Sequence, residues 1–278
     1  MLTLSDITKS FAGRAAVNQI SFEVAAGEVV GFLGPNGAGK TTTMRMIAGI
    51  TEPDSGTILC GGHDVWTHRI EAQSLIGYLP EGAPLYGEMT ALSYLGFMCE
   101  TRGIAKTAQG ALIATAVTRT SLDDVLQRPI DTLSKGFRRR VALAGAILHD
   151  PPILILDEPT DGLDPNQKRA ARALIAALSP GRAILISTHV LDEVSAVCSR
   201  VLVVAKGQIV ADETPSKLAL RTPSGRLEDA FQALTEPDTF FAGHVACRAF
   251  GQASVLCIAE SWALIWQPLP LMSLWPLL

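Results

Sequence analysis

Apolar positions along the chain follow two alternating periods, one of two residues and one of about 3.6 residues. The first period and short apolar runs predict strands, and the second period predicts helices. The predicted strands cover residues 2–7, 20–24, 29–33, 57–60, 153–156 and 183–187, with a final hairpin over 201–204 and 208–211. The predicted helices cover residues 40–48, 165–178 and 190–198. This alternation predicts an α/β fold with a mostly parallel sheet.

The strand pattern is absent between about residues 84 and 148. Apolar residues there recur at helical intervals, as Leu92, Leu95, Phe97 and Met98 do. We therefore expect a helical subdomain inserted into the α/β domain.

Charge is unevenly distributed along the 278 residues. Residues 1–239 carry 48 of the 50 charged side chains, whereas 26 of the 39 residues from 240 to 278 are apolar. The longest uncharged run, residues 261–278, contains three prolines, so we expect no membrane-spanning helix in it. The mean hydropathy of +0.28 is therefore an average over two unlike parts, an ordinary globular domain and an apolar tail.

Composition also excludes several classes of protein. A net charge of −4 argues against a nucleic-acid-binding protein. The five cysteines, at positions 60, 99, 198, 247 and 257, have no CxxC spacing, so neither a zinc site nor a disulfide framework is expected. The first 13 residues contain Asp6 and lack the apolar core of a signal peptide, which predicts a cytoplasmic protein.

A glycine-rich segment between a predicted strand and a predicted helix matches the phosphate-loop pattern G-x-x-x-x-G-K-[ST] without a gap. The motif consists of Gly34, Pro35, Asn36, Gly37, Ala38, Gly39, Lys40 and Thr41. Glycines let backbone N–H groups approach phosphate oxygens, and the helix start adds its positive dipole end. We expect Lys40 to bind the outer phosphates, the Thr41 hydroxyl to bind Mg²⁺, and the adjacent Thr42 to belong to the same nucleotide site. A chance glycine-rich turn would not be expected in this context.

Two carboxylates follow the apolar run over residues 153–156. Side chains alternate in direction along a strand, so Asp157 and Glu158 are free to have different roles. Beside a phosphate loop, Asp157 is expected to hold Mg²⁺ and Glu158 to polarise a water for attack on the γ-phosphate. Without that loop, a solvated acidic turn would be the simpler interpretation.

Three further segments resemble motifs of the ATP-binding cassette (ABC) ATPases, in the order found in that family. Residues 133–138, Leu-Ser-Lys-Gly-Phe-Arg, resemble the LSGGQ signature, and residues 161–164, Asp-Gly-Leu-Asp, resemble the D-loop. Residues 187–189, Ser-Thr-His, stand where the switch histidine is expected. With the phosphate loop and the carboxylate pair, the resemblance covers about residues 2–215. It implies a P-loop NTPase of ABC type, with a mostly parallel core sheet, an antiparallel β subdomain and the helical insertion.

The resemblance implies that the nucleotide is ATP and assigns further residues to its site. Phe11 is similar to the aromatic residue that stacks on adenine, although a core phenylalanine is the alternative. His189 would reach the γ-phosphate and orient the attacking water together with Glu158, so Glu158 and His189 are the expected catalytic residues. The remaining histidines, at positions 63, 68, 149 and 244, are predicted to be surface or capping residues.

The resemblance also implies a dimer, because each chain would carry only half of each composite site. Ser134 and Gly136 would contact the γ-phosphate of ATP held by the opposite subunit, and Asp164 would lie at the subunit junction. A second copy of the chain is the expected partner, with ATP holding the two subunits together and hydrolysis releasing them.

Two departures from the family pattern concern these contacts. Lys135 and Phe137 occupy substituted positions of the signature, while Ser134 and Gly136 keep the expected residue types. Glu81, in the sequence Tyr-Leu-Pro-Glu, stands where most members have Gln. Its carboxylate could bind Mg²⁺ or water but adds negative charge beside the phosphates.

Among the ABC ATPases, the chain resembles those that serve ABC-2-type exporters. This resemblance implies a separate integral membrane permease. The surface around residues 76–94 would be its docking site, and the chain would be peripheral on the inner face of the cell membrane. A soluble ABC ATPase that acts on ribosomes or DNA is the alternative. The single cassette, the 52 residues between Glu81 and Ser134 and the acidic balance disfavour it. A non-hydrolysing module is disfavoured by the intact catalytic residues.

We expect the ATPase domain to cover residues 1–233 and the apolar tail residues 234–278. Three interpretations of the tail stay open: an extension that contacts membrane or permease, a small packing element, or a segment that is not a selected protein sequence. The Trp, Cys and Pro content after residue 239 motivates the last of these.

Overall fold

The computed structural model describes residues 1–236, which belong to one compact unit, Met1–Pro237. Its strands are β1 (Leu2–Phe11), β2 (Arg14–Val24), β3 (Val29–Leu33), β4 (Ser55–Cys60), β5 (His63–Asp64), β6 (Ile76–Leu79), β7 (Ile153–Asp157), β8 (Ala183–Thr188), β9 (Arg200–Ala205) and β10 (Gln208–Glu213). Its α-helices are α1 (Lys40–Ile47), α2 (Arg69–Ser74), α3 (Ala91–Thr101), α4 (Lys106–Thr120), α5 (Lys135–Ile147), α6 (Pro165–Leu178), α7 (Leu191–Val197), α8 (Pro215–Ala219) and α9 (Leu227–Thr235). The predictions for the tail from residue 237 onward, and for His244, Cys247 and Cys257, concern positions outside this described part.

The larger sheet has six strands in the order β10-β9-β3-β8-β7-β6, and all of its pairings except β10 with β9 are parallel. Every residue of β3, β7 and β8 is buried, as expected for parallel strands covered on both faces. Ligand sites in such sheets form at the carboxyl ends of the strands. These carboxyl ends carry the predicted site: the phosphate loop follows β3, the carboxylate pair lies at the end of β7, and His189 follows β8.

A second sheet has four antiparallel strands in the order β2-β1-β4-β5. Its buried side chains, among them Leu2, Leu4 and Ile20, pack in one core with Phe32 of β3 and Met44 of α1. This packing fixes the start of α1, and with it the phosphate loop, between the two sheets.

The helical segment consists of α3, α4 and α5, which share a second core with the sheet. Thr90 caps α3 by accepting a hydrogen bond from the Ser93 backbone N–H at 3.1 Å. The predicted fold class is therefore confirmed: a mostly parallel α/β core, an antiparallel sheet and a set of helices. No helix within residues 1–236 is both long and apolar enough to cross a membrane.

Several elements differ from the sequence prediction. Strands β1 and β2 continue to a tight turn at residues 12–13, because they pair along nearly their whole length. Strand β6 and helix α2 were not predicted, since Ile-Gly-Tyr-Leu is short and contains glycine, and α2 carries one large apolar side chain, the exposed Ile70. Pairing with β7 stabilises β6 as the edge of the parallel sheet.

The prediction that His149 is a surface or capping residue is wrong. The ring is half-buried, and its Nε2 atom lies 2.8 Å from Arg102 Nη1 and 3.2 Å from the Ile76 carbonyl oxygen. Burial lowers the pKa of His149 to about 4, and the neighbouring Arg102 cation acts in the same direction. His149 is thus a neutral imidazole that joins the ends of α3 and α5 to β6.

Candidate active site

The phosphate loop connects β3 to α1 and is shaped by close backbone approaches. A Cβ atom on Gly34 would lie 2.5 Å from the Val204 carbonyl oxygen, and one on Gly39 would overlap the Ala16 carbonyl oxygen. Gly39 also has φ of +104°, which side-chain-bearing residues rarely adopt. The loop therefore leads directly into α1, whose first backbone N–H groups have no partner within the helix, and a helix start of this kind is suited to bind an anion.

Lys40 is the first residue of α1, and its side chain is buried under the loop. Its Nζ atom donates hydrogen bonds to the carbonyl oxygens of Gly34, at 2.7 Å, and Pro35, at 3.1 Å. Burial lowers the pKa of Lys40, while the carboxylates of Glu158, Asp157 and Glu81 oppose this shift. The ammonium thus binds the loop carbonyls and interacts electrostatically with all three carboxylates.

Asp157, the last residue of β7, is fully buried. Its Oδ1 atom accepts a hydrogen bond from the Ser187 hydroxyl of β8, while its buried Oδ2 has no hydrogen-bond partner among residues 1–236. Burial raises the pKa of Asp157, and the hydroxyls of Ser187 and Thr41 oppose this. A buried carboxylate oxygen without a partner beside a threonine hydroxyl is the kind of donor set that Mg²⁺ prefers, so these residues fit the expected cation.

The side chains of Glu158 and His189 are in contact at the carboxyl ends of β7 and β8. His189 Nδ1 lies 2.9 Å from Glu158 Oε1, with the glutamate side chain 11% exposed and the histidine 51% exposed. Burial raises the pKa of Glu158, whereas the hydrogen bond from His189 and the charge of Lys40 lower it. A buried carboxylate with an oriented, solvent-reaching imidazole is suited to accept a proton from water.

Glu193 on α7 connects the loops that carry these two side chains, and the sequence did not indicate it. Its buried carboxylate accepts hydrogen bonds from the Thr160 hydroxyl and, at 3.0 Å, from the Thr188 hydroxyl. Lys168 Nζ lies 3.6 Å from the same carboxylate. Glu193 therefore joins the segment after Glu158 to the residue before His189. Its only signal in the sequence is an acidic position in a short helix.

Two neighbouring clefts bring most of the predicted site residues together. One is lined by Ala16, Asn36, Gly37, Gly39, Lys40, Thr41, Thr42, Glu81 and Glu158. The other is lined by Phe11, Arg14, Ala15, Ala16, Pro35, Asn36, Gly37, Ala38, Ala205, Lys206, Thr235 and Glu236. Phe11 is 51% exposed, so it is not a core residue. The Thr41 hydroxyl donates to Glu81 Oε2 at 3.4 Å, which brings this carboxylate to the cation-binding hydroxyl.

Ser134, Gly136 and Asp164 line neither cleft. Ser134 caps α5, and Asp164 caps α6 by accepting hydrogen bonds from two backbone N–H groups at 2.9 Å. A Cβ atom on Gly136 would overlap the Gln167 side chain of α6, so the two helix N-termini lie together. Lys135 and Asp161 form a 3.0 Å ion pair between them.

A phosphate loop, a buried aspartate at the end of a parallel strand and a paired glutamate and histidine define a nucleoside triphosphatase of the phosphate-loop class. The ABC transporter family profile matches residues 17–161. The Nod factor export ATP-binding protein I of Burkholderia lata is 37% identical over 214 residues, covering 77% of this chain and 70% of that protein. The chain belongs to the ABC transporter family and is one of its ATP-hydrolysing subunits.

Solved structures agree with this assignment. A structure of the ATP-binding subunit of an ABC transporter has a TM-score of 0.77 and 26% identity, covering 84% of this chain and 99% of that one. The dimeric structure of MJ0796, a bacterial ABC transporter cassette, has a TM-score of 0.70 and 22% identity, covering 77% and 98%. At that identity the second likeness concerns the fold alone.

Proposed function

We propose that the chain hydrolyses Mg²⁺-ATP at composite sites between two copies and thereby drives a separate membrane exporter. The 2.9 Å contact between Glu158 and His189, beside a phosphate loop and the unpartnered Oδ2 of Asp157, carries this proposal. The relative named for Nod factor export supports the exporter direction.

The binding half of the mechanism uses the phosphate loop. Its backbone N–H groups and Lys40 bind the β- and γ-phosphates, and Phe11 offers a face for adenine. Thr41 and Asp157 would hold Mg²⁺, which neutralises charge that develops on the phosphates. Glu81 contributes a further carboxylate at Thr41, so this site has more negative charge than one with glutamine there.

The hydrolytic half uses the ends of β7 and β8. Glu158 accepts a proton from the attacking water, and His189 orients Glu158 and reaches the γ-phosphate. Water and the γ-phosphoryl group react in line, so that the bond to the bridging oxygen breaks and ADP leaves with it. Burial raises the pKa of Glu158, which makes its carboxylate a stronger base, and the neighbouring His189 and Lys40 oppose this shift.

The second half of each site would come from another copy of the chain. Ser134 and Gly136 lie at the N-terminus of α5, and Asp164 lies at the N-terminus of the adjacent α6, outside both clefts. An exposed helix N-terminus binds phosphate well. In a two-fold dimer, Ser134 and Gly136 would meet the partner's γ-phosphate, with Asp164 at the junction.

The permease would dock in a groove between α2, β6 and α3, which includes only Ile76 and Tyr78 of the expected surface around residues 76–94. Ile70, Met98 and Ile104 give the groove apolar walls, and Arg102 gives it a positive charge. Ile70 is 82% exposed, which is unusual for a large apolar side chain. A cytoplasmic helix of the permease with an apolar face and an acidic residue fits this lining. The chain would then be peripheral on the cytoplasmic face of the membrane.

We also propose that the ATPase domain ends near residue 233, with residues 84–148 as its helical subdomain. All residues to which the mechanism assigns a role precede that boundary.

Complementation between two inactive variants tests the composite site. Lys40→Ala removes the phosphate-binding ammonium, whereas Ser134→Asp keeps a good helix cap but places negative charge against the partner's γ-phosphate. Mixing the two should restore hydrolysis, because a mixed dimer has one intact site. Random pairing would recover about one quarter of the parental rate. If the mixture stays as inactive as the separate variants, each site is contained in one chain.

Membrane association tests the docking groove. With the permease co-expressed, Ile70→Asp should release the chain into the soluble fraction by placing an unpaired charge in an apolar contact. The matched control is Leu220→Asp, since Leu220 is 78% exposed and lies on α8's C-terminal side, away from the groove. Equal release of the two variants would contradict this docking site.

A further inference from the structure

A buried arginine, Arg139, joins α5 to the carboxyl end of β7. Its guanidinium donates hydrogen bonds to four backbone carbonyl oxygens. Nε donates to Pro159 at 3.3 Å, Nη1 to Pro80 at 3.4 Å, and Nη2 to Asp157 at 2.7 Å and also to Glu158. No ion pair within the described part of the chain involves Arg139. The side chain thus contacts the backbone of two segments, Pro80 after β6 and residues 157–159 at the end of β7, while its own helix carries the signature.

An arginine in this environment is costly, so its hydrogen bonds need an explanation. Burying a guanidinium without a carboxylate partner is unfavourable unless its donors are satisfied. The planar fork of N–H groups matches several carbonyls at once, which a lysine ammonium would not do with the same geometry. Three of these carbonyls lie at and beyond the end of β7, and the fourth, that of Pro80, lies just beyond the end of β6.

Glu158 shows what these hydrogen bonds fix. Its φ is +51°, a left-handed conformation that is uncommon for residues other than glycine. Its backbone N–H lies 3.1 Å from both the carbonyl oxygen and the hydroxyl of Ser187, while its carbonyl oxygen accepts from Arg139. The peptide groups on both sides of this unfavourable turn are therefore held, from β8 on one side and from α5 on the other. The turn directs the Glu158 carboxylate to His189.

We propose that Arg139 is a positioning residue for hydrolysis: its guanidinium holds the carbonyls of residues 157–159 so that Glu158 stays in contact with His189. The inference rests on the catalytic role given to Glu158 above. Arg139 contacts neither cleft of the nucleotide site, so it acts through Glu158 and not on ATP. It also couples the signature helix to this turn within one chain.

The test compares Arg139→Met with Arg182→Met. Arg182 serves a similar structural purpose at the opposite end of β7, where it donates to the carbonyl oxygens of Pro151, at 3.2 Å, and Leu178, at 2.8 Å. Both variants lose an arginine that satisfies backbone carbonyls, but only Arg139 lies at the catalytic end. Melting temperature, affinity for a fluorescent ATP analogue and kcat are measured for each, with Arg139→Lys as the conservative variant.

We expect Arg139→Met to lower kcat by about 10²-fold, as small misplacements of a catalytic group do, with ATP affinity unchanged. Arg139→Lys should recover part of this loss, and Arg182→Met should lower the melting temperature without lowering kcat per folded molecule. A fall in kcat of equal size for Arg139→Met and Arg182→Met would overturn the proposal.

A double variant separates positioning from general loss of structure. In a Glu158→Gln background, the residual rate is measured under single-turnover conditions with and without Arg139→Met. If Arg139 acts through Glu158, the second substitution should change this residual rate less than about threefold, because residues that act as a unit are strongly non-additive. The same 10²-fold loss in both backgrounds would contradict positioning. If Glu158→Gln alone keeps the parental rate, the proposed function fails instead, which is a different result.

Discussion

The phosphate loop and the carboxyl ends of β7 and β8 face the same nucleotide site but are built differently. The loop acts mainly through backbone N–H groups, and close approaches at Gly34 and Gly39 fix its course. The strand ends act through the side chains of Asp157, Glu158 and His189, held by hydrogen bonds from neighbouring segments. In the proposed mechanism this difference separates two functions: the loop determines whether nucleotide binds, and the strand ends determine whether it is hydrolysed.

The most severe test of this separation is Glu158→Gln. The substitution keeps the size and one hydrogen bond to His189 but removes the base, so kcat should fall by about 10²–10⁴-fold. Nucleotide affinity should stay within about twofold, since the binding groups of the loop are untouched, and the variant should accumulate as an ATP-bound dimer. Phosphate release and analytical ultracentrifugation with ATP measure the two effects. Hydrolysis near the parental rate would remove Glu158 from its role.

Lys40→Ala tests the phosphate loop, where a substitution should weaken nucleotide binding. Loss of the ammonium should weaken ATP binding by about 10–100-fold, the effect of one charge-assisted hydrogen bond to phosphate. Isothermal titration calorimetry measures the affinity directly. Lys206→Ala, a change at the far rim of the nucleoside cleft, is the control and should have a smaller effect. Unchanged ATP affinity in Lys40→Ala would contradict the assignment of nucleotide binding to the phosphate loop.

His149 lies outside both the phosphate loop and the ends of β7 and β8, so a change there should affect stability and not the nucleotide site. Its folded-state pKa of about 4 lies below the unfolded value, so between these values the unfolded chain binds a proton that the folded chain does not. The free energy of unfolding should therefore fall as the pH is lowered from about 6.5 to 4, on the order of 2 kcal/mol after allowance for solvent screening of the half-buried ring.

His149→Asn should remove this part of the pH dependence while leaving ATP affinity and kcat at neutral pH unchanged. Urea unfolding at several pH values measures it, with His68→Asn at an exposed position as the control. Identical pH dependence in the parental chain and His149→Asn would show that the ring is protonated equally in both states.

Local motifs explain why most of the site could be predicted from the sequence. Residues 34–41 form a contiguous loop between a buried strand and a helix, so nothing distant is needed to recognise them. Phe11 and His189 required the family resemblance, because a lone aromatic or histidine has many structural roles. The order of apolar runs was enough to predict the parallel core.

Residues whose role depends on distant partners could not be predicted. Arg139 stands in the basic run Arg-Arg-Arg, where adjacent side chains give no sign of which one is buried. Its partners are carbonyls more than a dozen residues away, at the end of β7. Glu193 and His149 were missed for the same reason, since their contacts cross between elements. The sequence shows which functional groups such residues have, but it does not show whether they are buried or which groups they contact.

The position of β8 has a consequence for mutations far from the nucleotide. β3, which leads into the phosphate loop, and β7, which ends in the carboxylates, are not neighbours, because β8 lies between them. The distance between β3 and β7 is therefore two strand spacings, about 10 Å, and the backbone hydrogen bonds that β8 makes to both strands set it. Replacing Leu185 of β8 with proline would remove a backbone N–H from this pairing and so disturb the spacing without touching any group that binds ATP. The relative position of the phosphate loop and the carboxylates thus depends on the backbone pairing of the strand that lies between β3 and β7.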